Sequence, residues 1–128
     1  MADLSERIET IERGYEYLLA YAAQGRQDDQ GSEARARLTW MFEALDGLAD
    51  LVTATVNGGP GGPVEQAAAF VDAVKQDAAK ARGAIGLVLS RPAISSMLVD
   101  NLNASIHVRA LLTDCFLVEQ AYRGGSDL

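Results

Sequence analysis

Glycine and proline are concentrated at three places in the chain, residues 25–31, 57–63 and 83–92, with Gly124-Gly125 near the end. Proline interrupts the helical hydrogen-bond ladder and glycine weakens a helix, so these clusters divide the chain into four segments. Each segment repeats its apolar residues at spacings of three and four, the period of an α-helix. In the first, Leu4, Ile8, Ile11, Tyr15, Leu18 and Ala22 make one stripe and predict a helix over 4–24. Asp3 and Glu6 have the spacing of a capping box at its start, and Gly25 can close its end.

Ser32 is suited to cap a second helix over 32–56, carrying Leu38, Met41, Leu45, Leu48 and Val52. Pro63 suits the first position of a third helix over 63–89, whose stripe runs from Val64 to Val88 and whose last turns Gly83 and Gly86 weaken. A fourth pattern covers 92–123. At about 1.5 Å per residue its 32 residues would reach roughly 48 Å, so this helix is long or breaks. Asp100-Asn101-Leu102-Asn103 is the predicted break, because such side chains compete for nearby backbone groups. No alternating apolar and polar stretch suggests a strand. The expected fold is therefore all-α, an antiparallel four-helix bundle forming a single domain over 1–128. Residues 25–31 contain nothing apolar and are expected to cross solvent, and the Gly-Pro run 57–63 is expected to be a mobile hinge.

At 128 residues the chain has room for one hydrophobic core. Its formal charge of −7 repels the phosphates of nucleic acid and of anionic lipid, so neither nucleic acid nor a membrane is an expected partner. No apolar run approaches the roughly 20 residues that span a bilayer. Cys115 is the only cysteine and no basic-then-apolar leader precedes Ser5-Glu6-Arg7, which points to the cytoplasm.

Apolar residues off the main stripes suggest how the protein works. In the second segment Trp40, Ala44, Gly47, Leu51 and Ala54 form a second line. In the fourth, Met97, Ala104, Val108, Leu111, Cys115, Val118 and Tyr122 follow one line while Val99, Leu102, Ile106, Ala110 and Leu117 lie nearly opposite. A helix apolar around most of its circumference is normally surrounded by protein. A second copy packing on these faces accounts for both patterns, since two-fold dimers dominate among oligomers. Tyr17 and Tyr21, one turn apart in the first segment, add a candidate aromatic contact.

Candidate chemistry is sparse. His107 is the only histidine and shares a polar stripe with Asp100 and Asp114, either of which could orient its imidazole. A bundle di-iron centre would place glutamate three residues before the histidine, where Ala104 stands, and His107 and Cys115 do not converge on one side for zinc. No metal and no cofactor is expected. A small acidic bundle with one histidine resembles the histidine phosphotransfer domains in architecture alone. Those carry Lys and Gly at the third and fourth places after the histidine, whereas Val108-Arg109-Ala110-Leu111 follows His107, so no phosphorylation site is carried over. Cys115 lies on an apolar line, the setting of an inert thiol. The glycine run at 58–62 lacks the Gly-Lys-Ser/Thr ending of a phosphate loop.

The expected function is a non-enzymatic binding or assembly module. It self-associates and offers Trp40, Ala44, Gly47, Leu51, Ile106, Leu117, Tyr17 and Tyr21 to a protein or a small apolar ligand. The alternative is an enzyme or signalling domain centred on His107, with Asp100 or Asp114 as its carboxylate.

Overall fold

The computed structural model describes residues 3–126, with side chains through Tyr122. Six α-helices are present among the described residues and no strand: α1 (Leu4–Ala22), α2 (Ala34–Leu45), α3 (Leu48–Asn57), α4 (Ala68–Leu89), α5 (Ser96–Ser105) and α6 (Val108–Ser126). The all-helical bundle expected from the periodicity is the fold observed. The four predicted helices become six because the second and the fourth each break once.

The packing closes a ring, with α1 on α2, α2 and α3 on α4, α4 on α5 and α6, and both of these on α1. Neighbours run antiparallel. Arg7 near the start of α1 reaches Glu43 near the end of α2, Arg35 near the start of α2 reaches Leu89 at the end of α4, and Tyr15 of α1 meets Arg109 of α6. Ile11, Leu18, Leu38, Met41, Leu48, Ile85 and Leu111 are fully buried between the helices.

The first break follows from Asp46-Gly47. Asp46 is extended at φ −67° and ψ 118°, and Gly47 takes φ +78°, a conformation that L side chains rarely adopt. Leu45 and Leu48 stand three apart on either side, so the buried stripe stays in phase through the bend and periodicity alone does not reveal it. The free carbonyls at the end of α2 are met from α1, where Arg7 Nη1 donates to Glu43 O (3.3 Å), Ala44 O (3.1 Å) and Asp46 O.

The second break lies at Ile106-His107, not at 100–103. Ile106 is extended at φ −116° and ψ 155°, and the His107 carbonyl accepts the Leu111 amide at 2.9 Å in the first turn of α6. This accounts for part of the two opposed apolar lines without a second copy. The break rotates α6 relative to α5, so Val99, Leu102 and Ile106 on one line and Val108, Leu111, Cys115 and Val118 on the other enter the same core. That part of the apolar circumference is satisfied within one chain.

Helix starts also differ from the prediction. Glu33 rather than Ser32 precedes α2, although Ser32 Oγ still accepts the Ala34 amide at 3.3 Å. Pro63 lies outside α4, which is entered through a 3-10 turn at Glu65–Ala67. Ser95 caps α5 by accepting the Leu98 amide at 3.0 Å, so the helix starts at Ser96, four residues after the predicted start at Pro92. Only the start of α1 matches closely, where Asp3 Oδ1 accepts the Glu6 amide at 2.9 Å.

Residues 25–31 run largely through solvent, as expected, but hydrogen bonds fasten the connection to neighbouring elements. Within residues 23–33, Asp29 Oδ1 accepts the Ile94 amide (2.9 Å) while its Oδ2 pairs with Arg35 (3.1 Å), and Arg26 and Ser96 exchange hydrogen bonds. In the Gly-Pro run, the Gly62 amide donates to Gly59 O at 3.0 Å, and Gly59 lies so close to Tyr122 that an added Cβ would fall 2.0 Å from its ring.

Candidate functional site

On α1, Arg7, Thr10 and Arg13 recur at a spacing of three, and on α2, Arg37, Trp40 and Ala44 recur at three and four. Packing α1 against α2 sets these two lines face to face. Together with Glu43 they line an open groove of about 530 Å³. Trp40, the only tryptophan in the chain, stays 47% exposed there. The Arg37 guanidinium lies 5.5 Å from the Trp40 ring centroid and 5.6 Å from that of Tyr17, which restrains it against both rings.

Arg7 is committed to the end of α2, as described above. Arg13 pairs with Glu9 at 2.6 Å and Arg37 with Glu33 at 3.3 Å, both across one helical turn. Arg37 Nε is buried without a hydrogen-bond partner. Apolar periodicity points to Trp40 and Ala44 but not to the arginines, for which the available signal is Arg7 and Arg13 six residues apart on one face of α1.

The remaining predicted binding residues scatter. Tyr21 is fully buried, with its hydroxyl donating to Ile94 O (2.6 Å) and placed 3.0 Å from Asp28 O. Burial lifts its phenol above the ordinary tyrosine value, against the opposing effect of Arg26. Tyr17 stacks on Tyr21 at 6.2 Å and its hydroxyl accepts the Glu33 amide at 2.8 Å, which supports the start of α2. Ala44 and Ile106 belong to the core. Gly47 forms the bend, Leu51 is half-buried on α3, and Leu117 stands 59% exposed on α6. The line from Trp40 to Leu51 is thus cut by the bend and forms no continuous surface.

His107 is exposed and lines a second open groove with Tyr15, Ile106, Arg109, Ala110, Thr113 and Asp114. Asp114 is the one predicted carboxylate brought to this groove. Asp100 lies exposed on α5 and does not line it. No ion pair joins His107 to a carboxylate among the described residues. Partial burial, and then the carboxylate of Asp77, hold the Asp114 carboxyl above its ordinary value.

Cys115 is buried, and burial, followed by Asp114 and Glu119, pushes its thiol up to about 12, far from a nucleophile at neutral pH. Among the described residues no three His, Cys, Asp or Glu side chains converge as metal ligands, and no helix is long and apolar enough to cross a membrane. No protein-family model matches the chain, and neither does any curated protein or solved structure.

Proposed function

We propose that the protein is a helical binding module that holds a partner in the α1/α2 groove around Trp40 and acts by binding rather than by catalysis. The observation that carries this reading is the chain's single indole, held nearly half exposed within a groove and braced by Arg37. Covering such a ring gains hydrophobic free energy at little entropic cost, which is why tryptophan and arginine recur as anchors of binding surfaces. A cytoplasmic setting suits a chain whose only cysteine is a buried free thiol.

Thermal stabilisation by a mixed library of small molecules tests this reading, since a ligand that binds the folded state raises its melting temperature. Compounds that stabilise the parent protein and lose that effect in Trp40→Ala support it. Compounds that stabilise both proteins equally place the binding site elsewhere.

Self-association is the second reading, carried by a different face. Leu19 of α1 and Phe116 of α6 are each 41% exposed and line one groove together with Leu112 and Tyr15. A second copy is the occupant that this reading assigns. Sedimentation equilibrium at micromolar concentration is expected to give twice 13.6 kDa, and Phe116→Glu to return the monomer mass. A mass of 13.6 kDa for the parent protein would remove this reading.

A further inference from the structure

Building on the reading of the α1/α2 groove as the binding site, we infer that its ligand is a small organic anion, a flat ring bearing a carboxylate or phosphate group. The ring lies on Trp40 and the anionic group meets Arg13 and Arg37. Charge is the first support. The chain carries −7 overall, yet the groove is lined by three arginines and a single acidic residue, Glu43. The lining itself is therefore basic, although Glu9 and Glu33 just outside it neutralise Arg13 and Arg37, and it favours an anion that takes their place.

The availability of the arginines is the second support. Arg7 contributes its field while remaining bound to the end of α2. The partners of Arg13 and Arg37 are one-turn pairs whose carboxylates, Glu9 and Glu33, are 57% and 60% exposed. The Arg13–Glu9 pair, exposed on both sides, contributes little to stability and is readily displaced, whereas Arg37 is 26% exposed and is already held in place beside Trp40. A guanidinium also presents a planar set of donors that fits a carboxylate or phosphate on two sides at once.

The single tryptophan supplies the readout, because its indole N–H gives one resonance in a proton–nitrogen correlation spectrum. The protein is titrated separately with phenyl phosphate, benzoate, inorganic phosphate and benzyl alcohol. The ring-bearing anions are expected to shift this resonance saturably, at least one of them with a Kd about tenfold below those of inorganic phosphate and benzyl alcohol. Whichever of phenyl phosphate and benzoate binds tighter identifies the anionic group. Arg13→Gln is expected to weaken that anion about fivefold while leaving benzyl alcohol unchanged, and because Arg13 is exposed the folding of this variant is not at issue. Arg37→Gln, which also removes the brace on Trp40, is expected to weaken the anion at least as much. Benzyl alcohol binding as tightly as both anions would overturn the anionic ligand while leaving the groove as a binding site. Inorganic phosphate binding as tightly as phenyl phosphate would overturn the ring. The absence of a saturable shift with any probe would overturn the inference and the groove together.

Discussion

At the scale of single residues, the sharpest constraints fall where the sequence shows only a small or ordinary side chain. Gly14 lies buried on α1, and a Cβ there would come 2.5 Å from Met41 Cγ and Sδ. Gly14→Ala is therefore expected to cost about 1–3 kcal/mol in denaturant unfolding, the range of an overpacked core. Tyr21→Phe is expected to cost about 1–3 kcal/mol, since the buried Ile94 carbonyl loses its donor. Two carboxylates should respond to pH with opposite signs. At Asp29 burial acts to raise the pKa, but the Ile94 amide and Arg35 outweigh it and hold the value below that of an ordinary carboxylate. Its stabilising contribution is present above the unfolded pKa and disappears as pH falls through the folded value, so Asp29→Asn should flatten the acid limb of the stability profile. Asp114 is held above its ordinary pKa, so the folded state binds its proton more tightly than the unfolded state. Its ionisation then costs stability as pH rises past about 4, and Asp114→Asn should be more stable than the parent at neutral pH. Urea midpoints from pH 3 to 7 measure both effects.

At the scale of elements, helix ends are completed from neighbouring helices. No basic residue occupies the last turn of α2 or α4, and arginines from α1 and α2 take that role. Arg35 donates to Leu89 O (3.0 Å) and Arg91 O (2.9 Å) while paired with Asp29. Arg35→Ala is thus expected to cost about 1.5–3 kcal/mol or more, whereas Arg13→Ala, which breaks an exposed pair, is expected to cost less than about 1 kcal/mol. Gly47→Ala is expected to cost about 1–2 kcal/mol from its left-handed backbone alone, because no atom lies within 4 Å of the new Cβ. These long-range ties also explain which boundaries were readable. The start of α1 depends on Asp3 and Glu6, three residues apart, and was legible. The bend after α2 is made locally by Asp46-Gly47 but braced by Arg7 from α1, and the order of residues 23–33 depends on Ile94, Arg35 and Ser96. Sequence neighbours carry no sign of those partners.

At the scale of the whole molecule, the helical class and most buried positions followed from periodicity, because Leu38, Met41, Leu45, Leu48 and Val52 face the core whether or not the helix bends. Surface assignments were less secure for the same reason. A break changes which side a residue faces, so Ile106 entered the core with Val99 and Leu102, while Met97, Phe116 and Leu117 of the same segment stay exposed. Trp40 stays exposed in the α1/α2 groove, and the arginines beside it became visible as a group only once the helices were packed. The account rests on that groove as the place where the protein meets its ligand. Intermolecular nuclear Overhauser effects between Trp40 ring protons and the aromatic protons of bound phenyl phosphate test this most directly. The account predicts contacts to Trp40 and to the Thr10 methyl across the groove. Contacts instead to Tyr15, Thr113 or Phe116 would contradict it and move the binding site to the α1/α6 face.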